Sequence, residues 1–381
     1  MKRRRFLAAA CAAAVPGVAF AGEPWQWPAR MARPDTATDE GGLWAMMDRE
    51  ETRLRRSPFA IKDAEFAAYI QDIACRLAGD HCPDVRVHLV RNRFFNASMA
   101  PNGMMQVWTG LLLRVDNEAQ LAAVLGHEIG HYLQRHTLNQ LRDLKSRAAF
   151  GQFLGAFGAV GLVGQIGMLA GGFAFSREHE READRIGLML MSRAGYDPRE
   201  AAKVWDNLLH ELKARPDGDP FRNNPLFATH PAAEERRETL TRLAAELPDG
   251  VTNEQAWQQK TARYLRDWLN EEVKRGQFEE SLALLTRLVR RSTKQPDYLW
   301  ARGDVYRLRG READYDAAVA DYKAAAALGG EPPETHRGLG MVYRSRGQAV
   351  EAKASFARYL ELAPQATDAL MIKNYMEELG A

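Results

Sequence analysis

Cysteine is scarce: three in 381 residues. That excludes a small fold stapled by several disulfides. A surplus of one charge sign is also missing, with 52 basic residues against 50 acidic. Without a basic excess the chain lacks the electrostatic footprint of a nucleic-acid-binding protein. Long apolar runs are confined to residues 6–20 and 148–175. The rest is ordinary globular material, 46% hydrophobic and 27% charged, with length enough for two or three domains.

The first apolar run follows MKRRR and ends at Ala19-Phe20-Ala21, the layout of a secretory signal peptide cut before Gly22. Its four basic residues leave with it, so the mature chain has 48 basic residues against 50 acidic. Three arginines before the run suit either the general secretory or the twin-arginine route, and the sequence around Cys11 is a poor fit to lipid attachment. Export predicts a periplasmic location and an oxidising compartment. There Cys75 and Cys82 read as a disulfide contributing about 2–3 kcal/mol, the alternative being two unrelated thiols.

After an irregular segment over 22–50, helical patterns run to Leu77. Residues 85–90, VRVHLV, alternate as a half-buried strand. Pro101-Asn102-Gly103 is a turn, and 104–110, MMQVWTG, reads as a second strand. Asp116 or Asn117 caps the next helix. Residues 148–175 are uncharged and long enough to span a membrane, but eight glycines and two glutamines argue for a hairpin or lid touching membrane peripherally. LPDGVTNEQ at 247–255 is a linker. Beyond it Leu339, Gly340, Tyr343, Gly347, Ala352, Phe356 and Pro364 follow the tetratricopeptide pattern, preceded by one similar unit and a weaker one near Gly276. The predicted fold is mainly α with a small β-sheet. A signal peptide (1–21) and the irregular segment (22–50) precede a main domain (51–250) and an α-helical repeat domain (251–381).

The chemistry centres on HEIGH, His127 to His131. On a helix the two histidines share a face and Glu128 lies beside them, an arrangement that holds zinc and activates water. Residues around them are apolar on the other sides, and buried histidines need partners. Zinc requires a further ligand. A third histidine six residues on is excluded, because Gln134 and Thr137 stand at the required positions and His136 is one place off. In SREHEREADRIGL, 176–188, Glu180 and Asp184 flank the buried face together, whereas Glu178 and Glu182 fall on a solvated face. Two carboxylates so placed repel unless a cation lies near. Glu180 is therefore the expected third ligand and Asp184 the group that orients a ligand histidine, with His179 the competing ligand.

HEIGH followed by Glu180-x-x-x-Asp184 resembles the zinc metallopeptidase family of the CaaX prenyl endopeptidases and HtpX proteases. Within it, an exported chain with tetratricopeptide repeats is similar to the periplasmic BepA-type protease–chaperones. Asn96-Ala97 and Thr229-His230-Pro231 also fit the pattern. The resemblance implies a zincin-like (gluzincin) fold, one Zn²⁺ on His127, His131 and Glu180, and Glu128 as base. It also implies His230 as a regulatory fourth ligand and Arg236 as support for the reaction centre. Met104, Gln106 and Trp108 are expected to form an edge strand onto which substrate adds. The expected activity is hydrolysis of peptide bonds in unfolded or misassembled envelope proteins, with the repeats meeting clients or outer-membrane assembly machinery. The alternative is a chaperone or scaffold whose repeats bind clients while the metal site idles.

Overall fold

The computed structural model describes residues 25–145, 175–215, 226, 230 and 233–380. Helix α1 (Asp39–Arg56) starts at Thr38, whose hydroxyl accepts from Gly41 N–H at 3.1 Å. Helix α2 (Ala64–Ala78) starts at Asp63, which accepts from Phe66 N–H at 3.0 Å. It stops at Gly79, whose φ of 54° suits a residue without Cβ. A 3₁₀ turn then carries Cys82 back to Cys75, and the two form a disulfide with Cα atoms 4.6 Å apart. The predicted leader and the apolar stretch lie outside the described residues, except Phe175. Among the described residues no helix is long and apolar enough to cross a membrane.

Strands β1 (Arg86–Val90), β2 (Ala97–Met99) and β3 (Met104–Trp108) form one sheet in the order β1-β3-β2. β1 runs parallel to β3, Val87 opposite Met105, and β2 runs antiparallel to it, Ser98 opposite Gln106. The expectation that Met104, Gln106 and Trp108 lie on an open edge is therefore wrong. β3 is the central strand and every residue in it is buried. Its nearly continuous apolar run, MMQVW, is what a strand covered on both faces needs, whereas an edge strand would carry charge or alternate. Among the described residues the open edge beside β3 belongs to β2, a strand too short for its periodicity to register in the sequence.

Asn117 settles the choice of cap, accepting from Gln120 N–H at 2.9 Å. Helix α3 (Thr109–Arg114) leads to α4 (Glu118–Leu133), buried almost throughout, and α5 (His136–Lys145) follows. Helix α6 (Arg177–Arg193) packs antiparallel on α4. At that crossing a Cβ on Gly126 would lie 3.2 Å from Gly187 O, and one on Gly130 would lie 3.0 Å from Ala183 O. Small residues on both helices bring the backbones together, and that sets how near their polar side chains come. α2 and α7 (Glu200–Lys213) pack on α4, and α8 (Ala233–Ala244) packs on α6 and α7.

The long α9 (Glu254–Val273) leads into α10 (Phe278–Arg291). Two tightly packed hairpins follow, α11 (Pro296–Arg309) with α12 (Glu312–Leu328) and α13 (Glu334–Ser345) with α14 (Ala349–Leu362), before α15 (Ala369–Glu378). Glycines make room for the aromatics of the repeat: Gly303 and Gly338 face Tyr322, and Gly340 faces Phe356. α9 also belongs to the core of the first half. Trp257 Nε1 donates to Val115 O at 3.2 Å, and Phe66 packs on Tyr264 with ring centroids 4.5 Å apart. Arg114 donates to Glu211 at 2.7 Å and to Glu272 of α9 at 3.0 Å, all three side chains buried. Arg114→Ala should cost about 3–5 kcal/mol in urea unfolding, because it strands two buried carboxylates. A loss under about 1 kcal/mol would show that the network carries no such load.

Candidate metal centre

Helix α4 presents His127 and His131 one turn apart, and the close crossing with α6 sets Glu180 and Asp184 opposite them. The His127 and His131 Nε2 atoms lie 3.1 Å apart. Glu180 Oε1 lies 3.4 Å from His131 Nε2, and its Oε2 lies 3.6 Å from His127 Nε2. His230 arrives just ahead of α8, its Nδ1 3.3 Å from His127 Nε2 and 2.9 Å from Glu180 Oε1. One ligand atom from each of these four residues falls within 4.8 Å of every other, and all four residues are buried.

A zinc ion bound tetrahedrally at about 2.0–2.1 Å sets its ligands about 3.3–3.4 Å apart. Five of the separations, taken to the nearer Glu180 oxygen, run from 2.9 to 3.6 Å around that value. Without a cation the arrangement is costly. His127 Nδ1 lies 2.9 Å from Asp184 Oδ1, so its N–H is directed there and Nε2 presents a lone pair to the cluster. Glu180 Oε2 is buried and accepts no hydrogen bond, although Arg236 Nη1 is 2.8 Å away. Glu180 and Asp184, both held ionised, share the single guanidinium of Arg236, and a cation answers the buried negative charge left over. The residues fit zinc.

Around this core the charges are held by direct contacts. Arg236 of α8 grips Asp184 with Nε at 2.9 Å and Nη2 at 2.6 Å, and its guanidinium lies over the Trp205 ring at 4.0 Å. Burial works against ionising Asp184, but Arg236 and His127 outweigh it and hold the carboxyl below its ordinary range. Glu180 is likewise held well below despite burial, by His230 and Arg236. Glu128 differs: burial raises its carboxyl, the direction that suits a group whose task is to take up a proton. Its Oε1 is 3.6 Å from His230 Nε2. An apolar cavity beside it, walled by Val124, Leu188, Met191, Trp205 and Leu226, retains only ≈ 20 Å³ of free space.

Residues 60–244 match the model for peptidase family M48, and 266–314 and 311–367 match the tetratricopeptide repeat model. The first segment is an M48 metallopeptidase domain. The beta-barrel assembly-enhancing protease of Escherichia coli K12 is 30% identical over 227 residues, covering 53% of this chain and 45% of that protein. The mitochondrial metalloendopeptidase OMA1 of Saccharomyces cerevisiae is 35% identical over 150 residues, covering 39% of this chain and 43% of that one. The chain thus spans less than half the length of either relative.

Of the residues singled out in the sequence, the M48 domain gathers His127, Glu128, His131, Glu180, Asp184, His230 and Arg236 into one centre. His179 stays outside the four-residue cluster; its ring stacks on His136 at 4.2 Å. Glu182, expected on a solvated face, is 40% exposed and bonds to His136 and Gln134. Two contacts carried no sequence signal: Trp205 beneath Arg236, and Phe175, whose ring stacks on His131 at 4.0 Å. Both are single aromatics with no motif around them. Glu180→Gln should purify with well under one zinc per chain by elemental analysis, its circular dichroism unchanged. A full complement of zinc in that variant would remove Glu180 from the ligand set.

Proposed function

We propose that the chain is an exported zinc endopeptidase of the periplasm that cuts unfolded or misassembled envelope proteins and rests in a latent state. The observation that carries this is the convergence of His127, His131 and Glu180 on one point, with Glu128 beside it. Zinc on those ligands would polarise a scissile carbonyl and lower the pKa of water toward ~7. Glu128 takes the proton of the attacking water and passes it to the leaving amine. Asp184 and Arg236 hold His127 and Glu180 in place, so the ligands need not reorganise during the reaction.

The substrate main chain finds its place on β2. Asn96 O accepts from Trp108 N–H and Ala100 N–H donates to Met104 O, so these residues face β3. Strand alternation then turns the backbone groups of Ala97 and Met99 to the open side. An extended peptide added there runs beside α4, with recognition resting on its backbone, as suits unfolded clients. The repeats offer a surface for clients or for outer-membrane assembly machinery, in keeping with the printed name of the Escherichia coli relative. Residues 148–175 are proposed to touch the membrane peripherally.

His230 supports the latent state. Its Nδ1 stands where a fourth ligand belongs and its Nε2 faces Glu128, so water and substrate must displace it. The same position favours a second reading, a chaperone whose metal site is mostly idle. Casein cleavage separates the two. Glu128→Gln should lose roughly 10²–10⁴-fold of the activity while keeping its zinc; undiminished cleavage would end the endopeptidase reading. His230→Ala should cleave faster than wild type, and no gain in that variant would end the latency reading.

A further inference from the structure

We infer that His136 is a positioning residue for His131, brought to it by a left-handed turn at Arg135. The inference rests on His131 being a metal ligand. Five residues along an uninterrupted helix is a rotation of about 500°, so position 136 would point about 140° away from position 131. α4 does not continue. It caps at Gln134, Arg135 takes φ 57°, and α5 begins at His136. This conformation is uncommon for a residue with a side chain. Its result is that His136 Nδ1 lies 2.9 Å from His131 Nδ1.

The proton positions follow from the ligand role. If His131 turns the lone pair of Nε2 toward the cluster, its single N–H is on Nδ1 and donates to His136 Nδ1. His136 then carries its own proton on Nε2, which donates to Glu182 Oε2 at 3.1 Å. Glu182 also accepts from Gln134 Nε2, the cap residue of α4. The His179 ring lies against His136 at 4.2 Å and keeps it from turning. His136 is 2% exposed, whereas Glu182 is 40% exposed and partly hydrated. The sequence carboxylate–imidazole–imidazole fixes the tautomer and ring angle of His131 and makes its Nε2 a better donor to a cation. His127 is served by a shorter route, Asp184 at 2.9 Å with Arg236 beside it, so the two ligands are oriented from opposite ends of the α4–α6 crossing.

The rival explanation is that His136 only fills space between α4 and α6. Zinc affinity, measured by competition with a chromogenic chelator, distinguishes the two, with the d–d spectrum of the cobalt-loaded protein as a second readout. His136→Phe keeps a ring but offers no acceptor; it should weaken zinc binding about 10–100-fold and alter the cobalt spectrum. His136→Asn returns an acceptor near the Nδ1 position and should recover most of the loss. Glu182→Leu, at a partly exposed site that tolerates change, should weaken binding in the same direction by less. Wild-type affinity in His136→Phe overturns the inference. Should that variant fail to fold, wild-type affinity in Glu182→Leu overturns it equally. Wild-type protein that binds no zinc overturns the metal-centre reading itself, and this inference with it.

Discussion

The contact between α4 and α6 is the constraint from which the site follows. Gly126, Gly130, Ala183 and Gly187 let two backbones meet with no side chain between them. Only at that separation do imidazoles from one helix and short carboxylates from the other reach a common point. The crossing is also antiparallel, so each histidine meets its own acid: His127 meets Asp184 and His131 meets Glu180. A larger residue at the interface would not merely loosen a core. It would move the ligand atoms apart along the axis on which a metal must fit.

Electrostatics adds a second requirement. Buried carboxylates on neighbouring turns repel, and burial alone would push them toward the neutral form. Arg236 answers both problems with one guanidinium, shared between Asp184 and Glu180 and shielded by Trp205. Two carboxylates on one guanidinium leave negative charge, which a cation offsets. Burial raises the proton affinity of Glu128, one residue from His127, whereas at Glu180 and Asp184 the direct contacts with His230, Arg236 and His127 outweigh burial.

How much of this could be read in the sequence depended on whether the signal was local. The pair His127 and His131 is visible because helical periodicity alone makes them neighbours. Glu180 and Asp184 could be found because they interrupt an apolar face, although they lie some fifty residues away. His230 and Arg236 have no periodicity to announce them and came only with the family resemblance. The edge strand was misassigned because a three-residue strand, Ala97–Met99, gives no alternation to detect, so its neighbour seemed to lie outermost. His136 was set aside as out of register, which holds for a continuous helix; one positive φ at Arg135 put it back. Backbone breaks of that kind are written in dihedral angles, not in residue types.

The buried Arg114, held by Glu211 on one side and Glu272 on the other, means the repeats are not a tethered arm. Helix α9 belongs to both cores, so the array is an extension of the body that holds the histidine–carboxylate cluster. Anything seated on the repeats is therefore held at a set bearing from the His127–His131–Glu180 cluster. Such a geometry acts as a ruler: it selects which stretch of a bound chain can arrive at the cluster, independently of the residues that stretch contains.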